Sequence, residues 1–414
     1  METPHPVNSV PTVSRVFGDT IIELVYDPEN HKTAFAVASG GAWRIEDNVQ
    51  APTGEQLVPY AASNNLIRHG CVMLASEPVE HGGKAVLLAD IEAYLHKYVD
   101  LSPLFERVGA LYILLTWVYD AFNEVPYLRF QGEFGRGKTR ALIALGSIAY
   151  KGFFASGAST VSPIFHTLDT FGGTLILDEA DLRFSDKTAD LVKILNNGTV
   201  KGLPVLRSIQ NRNKEFNPAA FNVFGPKIIA MRGKFADRAL ESRFLTEEMK
   251  DGSLRNDIPI QLPDGLKEDA LRLRNRLLHF RLTNRFLVKS DPSRLIAGID
   301  PRLNQTALSL LSLADDSALR EDVERMLRVK QAGLVADKAQ SLEHRTLAAL
   351  AAAFEQSDRS IVSLHDLTQL VNEAGDGLDE PVAPRQVGQV LRARSIPLYK
   401  SNGMIVVPRR AVET

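Results

Sequence analysis

Residues 127–148, YLRFQGEFGRGKTRALIALGSI, decide the fold of this 414-residue chain. A short apolar run at 127–131 predicts a buried strand, and the residues from 138 onward have the apolar spacing of a helix. The loop between them completes a G-x-x-x-x-G-K-[ST] pattern with Gly132, Gly135, Gly137, Lys138 and Thr139. Glycines let backbone N–H groups approach phosphate oxygens, the lysine places a cation near the β and γ phosphates, and the threonine hydroxyl offers a ligand to Mg²⁺. The helix dipole adds positive potential. The segment therefore predicts a phosphate-binding loop.

A second signal lies 40 residues beyond Lys138, in the sequence Thr174-Leu-Ile-Leu-Asp178-Glu179. An apolar run that ends in two carboxylates predicts a buried strand with acidic residues at its carboxyl end. Asp178 is suited to hold Mg²⁺ and Glu179 to polarise the attacking water. Together the two segments predict a protein that binds and hydrolyses a nucleoside triphosphate, ATP, with Mg²⁺.

Strand and helix signals alternate through this region. Strands are predicted at 127–131, 152–156, 174–177 and 227–231, with helices at 138–150, 161–169 and 189–195. This alternation is typical of an α/β fold with a parallel sheet flanked by helices. The whole chain divides into a β-rich N-terminal domain (1–85), a helical connector (86–122), the ATPase core (123–250), a helical lid (251–340) and a C-terminal unit (341–414).

Composition excludes several classes of protein. Apolar residues make up 44% and charged residues 24%, as in an ordinary globular protein. The single cysteine, Cys71, excludes an intramolecular disulfide and a Cys-based zinc cluster, fits a reducing cytosol, and is predicted to be buried among apolar neighbours. The start METPHPVNSV lacks the pattern of a signal peptide. The most apolar window, 108–119, is shorter than the roughly 20 residues of a bilayer span and predicts a core helix. We therefore expect a cytoplasmic protein without a membrane partner.

Charge is unevenly distributed although the net charge is only −2. Residues 1–100 carry 6 basic and 13 acidic side chains, whereas 101–340 carry 34 and 28. The window 201–240 has eight basic residues and two acidic ones. If that window forms one surface, an anionic polymer is a plausible partner.

On these motifs the sequence resembles the AAA+ ATPases. In that family an arginine after the fourth core strand contacts the γ phosphate held by a neighbouring subunit, which implies a ring. Arg243, in Asp237-Arg238-Ala-Leu-Glu-Ser-Arg243-Phe244, is the best match and Arg238 the second. Arg302, at the start of a lid helix, resembles the second sensor arginine. The fourth strand departs from the family pattern because Ala230-Met231, followed by Arg232, stand where a polar sensor is usual. Either Arg232 or a residue outside the strand substitutes, or hydrolysis is slow.

A further pair of strands is predicted between the core strands, at 204–210 and 216–224. The basic turn Asn211-Arg212-Asn213-Lys214 joins them. In superfamily 3 and MCM-like helicases a hairpin at this position lines the central channel of the ring and grips DNA. Cations on a stiff projection suit phosphate contacts. The resemblance makes Arg207, Arg212 and Lys214 the candidate DNA contacts; a solvated surface hairpin is the alternative.

The C-terminal unit, 341–414, reads as three helices and a hairpin with Ser401-Asn402-Gly403 as its turn. This order predicts a winged helix, similar to that of MCM-like helicases, whose third helix would enter a major groove. The residues that could face nucleic acid are Arg385, Gln386, Gln389, Arg392 and Lys400. The unit has 8 basic and 9 acidic residues, so a protein-docking role stays open.

Taken together, the order of segments resembles the replicative helicase-type ATPases of plasmids, phages and staphylococcal-cassette-like elements. The resemblance implies a ring-forming DNA helicase or translocase, with a hexamer as the expected ring, that acts on single-stranded or double-stranded DNA in replication. No primase or polymerase carboxylate cluster is recognisable, so a separate primase or polymerase would supply priming. The alternatives are a nucleotide-gated oligomeric switch or defence-type ATPase, and a winged-helix regulator that carries an ATPase.

Overall fold

The structure is a computed structural model that describes residues 9–156, 159–178, 186–210, 216–235, 237–249, 254–339, 341–355, 360–374, 381–401 and 403–409. The chain divides into two compact units, residues 1–327 and 328–414.

The first unit opens with short strands that form two small sheets. They are β1 (Ser9–Thr12), β2 (Ser14–Phe17), β3 (Thr20–Asp27), β4 (Lys32–Ser39), β5 (Ala42–Glu46), β6 (Val49–Gln50) and β7 (Gln56–Pro59). β2, β3, β4 and β5 form an antiparallel sheet in chain order, and a second sheet has the order β1-β7-β6. β3 and β4 form a hairpin in which Asp27 Oδ1 accepts hydrogen bonds from the N–H groups of Glu29 and Asn30, which closes the turn.

Three helices follow: α1 (Asn65–Arg68), α2 (Lys84–Tyr98) and α3 (Pro103–Val118). The α3 helix begins where Ser102 Oγ accepts the N–H of Phe105 and Pro103 takes the first helical position. Every residue from Val108 to Val118 is buried, as expected of a core helix. In the described part of the chain no helix is long and apolar enough to cross a membrane. The burial predicted for Cys71 is wrong: its side chain is exposed, because the turn after α1 carries it out to solvent.

A five-stranded parallel sheet follows, which confirms the predicted α/β core. Its strands are β8 (Tyr127–Gln131), β9 (Phe153–Ser156), β10 (Leu175–Asp178), β13 (Lys227–Met231) and β14 (Phe244–Glu248). Their order in the sheet is β14-β8-β13-β10-β9. The helices between them are α4 (Lys138–Ile148), α5 (Val161–Phe171), α6 (Asp186–Asn197) and α7 (Arg238–Glu241), and the antiparallel pair β11 (Val205–Gln210) and β12 (Phe216–Phe221) is inserted before β13.

Both faces of the parallel sheet are covered. Leu177 and Ile229 belong to a core cluster that also contains side chains of α5, α6 and the N-terminal sheets. Ile176 points the other way, toward α4, where a Cβ added at Gly146 would lie 2.9 Å from it. Since successive strand residues point to opposite faces, the near-continuous apolar strands are explained by burial on both sides. The first unit continues with α8 (Gly265–Asn284) and α9 (Pro301–Leu313), and α10 (Ser317–Ala339) follows.

A buried network of charges joins distant parts of the first unit. Glu23 of β3 accepts hydrogen bonds from Tyr150 (2.8 Å), Lys151 lies 2.9 Å from it, and Arg281 of α8 lies 2.7 Å from it. Arg281 also pairs with Asp120 at 2.8 Å. Burial alone would raise the pKa of Glu23, but the two cations lower it below its ordinary value. The network therefore holds a carboxylate that is 1% exposed in its charged form.

The second unit begins within α10, and its described residues contain three further helices and three strands. These are α11 (Leu342–Glu355), β15 (Ile361–Ser363), α12 (Leu364–Glu373), α13 (Pro384–Ala393), β16 (Tyr399–Ser401) and β17 (Met404–Pro408). The strands form an antiparallel sheet of order β15-β17-β16. The core of this unit includes Leu350, Leu367, Val387, Leu391 and Val407. Asn402 of the predicted turn lies outside the described residues.

Substitution of Glu23 by Gln tests the buried network. The change leaves the buried cations Lys151 and Arg281 with one carboxylate fewer, and we expect the free energy of unfolding to fall by about 3 kcal/mol. Urea denaturation measures it. The control is Asp47→Asn, which removes an exposed ion pair with Lys32 and should cost less than about 1 kcal/mol. Equal losses in the two variants would contradict the role given to the network.

Candidate functional site

The glycine loop lies between β8 and α4, as predicted. Gly135 and Gly137 have φ angles of 82° and 81°, a left-handed conformation that favours glycine. A Cβ at Gly132 would lie 3.1 Å from the carbonyl oxygen of Met249, so a side chain there would crowd the segment after β14. The sequence thus places glycine where the backbone needs it.

The side chain of Lys138 folds back onto the first residues of this loop. Its ammonium donates hydrogen bonds to the carbonyl oxygens of Gly132 at 2.5 Å and Glu133 at 2.7 Å. The cation therefore stands at the mouth of the loop, beside the amino end of α4. Both features favour an anionic ligand at this position.

Thr139 and Asp178, the two predicted metal ligands, are in direct contact. The Thr139 hydroxyl donates a hydrogen bond to Asp178 Oδ2 at 2.8 Å, which joins the first turn of α4 to the end of β10. A hydroxyl and a carboxylate are hard oxygen donors, and Mg²⁺ binds through one or two such ligands while it keeps waters and substrate phosphates. The residues therefore fit the predicted Mg²⁺ site. Glu179 lies outside the described residues.

The end of β13, where the resemblance predicts a polar sensor residue, lies between the glycine loop and Asp178. β13 pairs with β8 on one side and β10 on the other, so its carboxyl end adjoins both the glycine loop and Asp178. Ala230 and Met231 are buried there, and the next residue, Arg232, is exposed. The strand itself offers no polar side chain to the site.

Arg243 lies at the amino ends of the parallel strands, whereas the glycine loop and Asp178 lie at their carboxyl ends. It precedes β14, which runs parallel to β8, so a strand length of roughly 16 Å separates it from the glycine loop of its own chain. Its Nη1 donates to the carbonyl oxygen of Asn196 at 2.5 Å and to Asn196 Oδ1 at 2.9 Å, at the end of α6. Partial burial lowers the pKa of Arg243 below its ordinary value. Arg238 is the first residue of α7, and the structure describes only its backbone.

Arg302 lies beside Arg243 and away from the glycine loop. Its Nη2 donates to the carbonyl oxygen of Ala239 in α7 at 3.1 Å. Glu124 is close enough for both arginines to act on its pKa, although burial is the larger effect and raises it. We call Glu124, Arg243 and Arg302 the far-edge cluster. Sequence reasoning missed Glu124, since a single acidic residue before a strand gives no signal.

The inserted hairpin has an inward and an outward face. Arg207, predicted to contact DNA, is on the inward face: it pairs with Asp190 of α6 at 2.9 Å and lies over the ring of Phe165 of α5. Phe221, on the same face, packs against Phe165 with ring centroids 4.6 Å apart. Arg207 thus attaches the hairpin to the core. Arg212 and Lys214 lie outside the described residues.

Lys227 fastens the base of the hairpin, a role that the sequence did not reveal. Its ammonium is fully buried and donates to the carbonyl oxygens of Val223 and Gly225, each at 2.9 Å, while lying 4.8 Å from the ring centroid of Tyr127. The carbonyl oxygen of Gly198, on the other side of the hairpin, is 3.5 Å away. Burial lowers the pKa of Lys227 to about 7. The only sequence signal is a lysine at the start of an apolar strand.

The candidate nucleic-acid contacts in the second unit are all exposed. Arg385, Gln389 and Arg392 follow helical spacing on the exposed side of α13, opposite the buried Val387 and Leu391. Gln386 is also exposed, and its Oε1 accepts the N–H of Ala383. Lys400 is exposed on β16. In the described residues no group of three or more His, Cys, Asp or Glu side chains could hold a metal ion.

No protein-family model and no curated protein matches this sequence. Solved structures similar to it include the C-terminal region of NrS-1 (12% identity, 94% of this chain and 96% of that chain, TM-score 0.40). An active helicase, SCCmec type IV Cch, covers 100% of this chain and 99% of its own at 11% identity and TM-score 0.41. Cdc6p from Pyrobaculum aerophilum shows 11% identity over 76% of this chain and 94% of that chain, with a TM-score of 0.23. The chain is thus similar to helicases and AAA+ ATPases, as its sequence predicts, but these TM-scores are below 0.5 and its function must be inferred from its own residues.

The dependence of stability on pH tests the burial of Lys227. A lysine whose pKa falls from 10.5 to about 7 on folding makes the folded state bind fewer protons than the unfolded state between these values. Stability should therefore rise with pH in this range, by about 1–2 kcal/mol from pH 7.5 to 9. Lys227→Met should lack this rise in urea denaturation. Parallel stability curves for the two proteins would contradict the assignment.

Proposed function

We propose that this protein is an ATP-hydrolysing AAA+ DNA translocase or helicase of the superfamily 3 and MCM-like group. The observation that carries this proposal is the hydrogen bond between Thr139 and Asp178 beside Lys138 and the glycine loop. This arrangement joins a phosphate cradle to a Mg²⁺ site, as ATP hydrolysis requires.

Each residue of the site has a role in hydrolysis. The N–H groups of the loop and the Lys138 ammonium bind the β and γ phosphates, while Thr139 and Asp178 orient the Mg²⁺, which neutralises charge on the phosphates when bound. From the sequence, Glu179 orients and deprotonates the attacking water. In a nucleotide complex Lys138 exchanges the two loop carbonyl oxygens for phosphate oxygens, which are stronger acceptors for an ammonium.

The far-edge cluster supports action between subunits. Arg243 lies a strand length away from the glycine loop of its own chain, and Arg302 is close enough to act on its pKa. A phosphate that Arg243 contacts would therefore be bound by another protomer. An arginine supplied in trans stabilises charge on the transferring phosphoryl group. We infer a ring, with a hexamer as the expected size, whose interfaces contain the active sites.

The hairpin and the second unit support a nucleic-acid partner. The segment 201–221 carries four basic side chains against Glu215, and the inward ion pair of Arg207 leaves Arg212 and Lys214 as its candidate phosphate contacts. The exposed side of α13 has the basic character expected for a winged helix that binds duplex DNA. We infer a role in the replication of a mobile genetic element, with priming by a separate enzyme.

A second candidate is a nucleotide-gated oligomeric switch. The buried Ala230 and Met231 favour it, because a strand without a polar sensor predicts slow hydrolysis. A switch of this kind assembles with ATP but separates no strands, so a strand-displacement assay distinguishes the two functions.

Substitution of Thr139 isolates the Mg²⁺ ligand. Thr139→Ala removes the hydroxyl and should lower Mg²⁺-dependent ATP hydrolysis by about 100-fold, as the loss of one polar group aimed at a reacting centre commonly does. Thr139→Ser keeps the hydroxyl and should retain most of the activity. Phosphate release measures both. Similar activities of the Ala and Ser variants would exclude the hydroxyl from the mechanism.

Mixing of two inactive variants tests the trans arrangement. Lys138→Ala lacks the phosphate contact and Arg243→Ala lacks the arginine, so each alone should be inactive. In a mixed assembly some interfaces combine an intact Lys138 with an intact Arg243, and hydrolysis should return in part. Exposed Lys267→Ala, on α8, should stay active throughout. A mixture as inactive as its components would place Arg243 outside the active site.

A further inference from the structure

The described outward face of the hairpin carries no charged side chain, and most of its residues are apolar. Cross-strand pairs Leu206–Ala220 and Ser208–Pro218 lie on it, and Phe216 follows at the next pair of the same face. Phe216 is 71% exposed and Leu206 is 68% exposed. On the inward face, by contrast, Val205 and Phe221 are each 5% exposed. The hairpin thus presents an aromatic ring at the end of its ladder nearest the basic turn.

The charges on and beside the outward face indicate which kind of ligand it can bind. The described side chains on it, at 206, 208, 216, 218 and 220, carry no charge. The sequence that joins β11 to β12, 211–215, supplies Arg212 and Lys214 against Glu215. A ligand that matches both features has flat apolar surfaces along an anionic chain. Single-stranded nucleic acid has this chemistry, whereas a duplex keeps its base faces stacked inside.

We propose that Phe216 stacks on an unpaired base and gives the hairpin its preference for single strands. This inference rests on the proposed function, since it assumes that the hairpin meets DNA. Stacking of a base on an aromatic side chain is tolerant of sequence, because every base has a π face. A base stacked on Phe216 would add to the sequence-independent attraction between the strand's phosphates and the cations of the protein.

Binding of two oligonucleotides to the full chain, with a non-hydrolysable ATP analogue, tests the proposal. One is fluorescein-labelled oligo-dT, and the other has the same length with abasic residues throughout. Phe216→Ala should weaken oligo-dT binding about tenfold, the lower part of the range measured for stacked bases. It should leave binding of the abasic chain unchanged. Phe216→Trp should bind oligo-dT as the wild type does, with quenching of the new tryptophan.

The matched control is Leu206→Ala, which removes an equally exposed apolar side chain without a ring and should change the oligo-dT affinity less than twofold. Melting temperatures should be unchanged in both variants, because neither side chain is buried. Wild-type affinity for oligo-dT in Phe216→Ala, or an equal loss for both oligonucleotides, would overturn the stacking role alone. If the wild type hydrolyses ATP but binds neither oligonucleotide, the DNA part of the proposed function fails as well. Dissociation of the assembly in Phe216→Ala, seen by sedimentation, would instead assign this face to a second copy and overturn the proposal.

Discussion

The buried pairing of Arg281 with Glu23 and Asp120 is the interaction on which the first unit depends. A guanidinium that is 2% exposed is tolerated because two carboxylates and neighbouring hydrogen bonds compensate it. Arg281 lies on α8, Glu23 on β3 and Asp120 in the turn after α3. Lys151, which also pairs with Glu23, follows α4. The network therefore fixes the carboxyl end of α4, the helix whose amino end carries Lys138 and Thr139. The helix that begins at the glycine loop is thus attached to Glu23 and Arg281, which are more than 100 positions away from Lys138 in the sequence.

The two ends of the parallel strands carry different groups of candidate residues, and the length of a strand lies between them. At the carboxyl edge, the glycine loop and Asp178 come together because β8 and β10 end on the same side. At the amino edge lie Arg243 and Arg302. One subunit thus holds Thr139 and Asp178 at one edge of the sheet and Arg243 at the other, a strand length apart. The proposed contact of Arg243 with phosphate would therefore have to join two neighbouring subunits. Between the edges, α6 leads from the Asp178 side to the hairpin and ends on Arg243.

Local patterns predicted much of the fold and of the nucleotide site. The strands at 127–131 and 227–231 have the predicted bounds, because continuous apolar runs flanked by glycine or polar residues are local signals. Contacts between distant segments were not predictable in this way. The direction of Arg207 depends on Asp190 and Phe165 of other helices, and the place of Arg302 depends on how α9 packs near α7. Cys71 was expected inside because its neighbours are apolar, but the backbone turn, rather than the neighbours, sets its exposure.

The buried and half-buried cations differ in the strength of their partners, and a cation with weaker partners is easier to displace. Arg281 and Arg129 are paired with carboxylates, Arg129 with Glu241 of α7, and breaking such buried pairs costs several kcal/mol, about 3–5. Lys227 and Arg243 are held by carbonyl oxygens instead, and these are weaker partners than anions. Lys227 is fully buried and cannot reach another ligand. Arg243 is only half buried, and a phosphate oxygen, being charged, would be a stronger partner for it than the carbonyl oxygen of Asn196. Under the proposed function, an Arg243 that contacts phosphate would leave the end of α6, and this helix would lose one of the contacts that hold it.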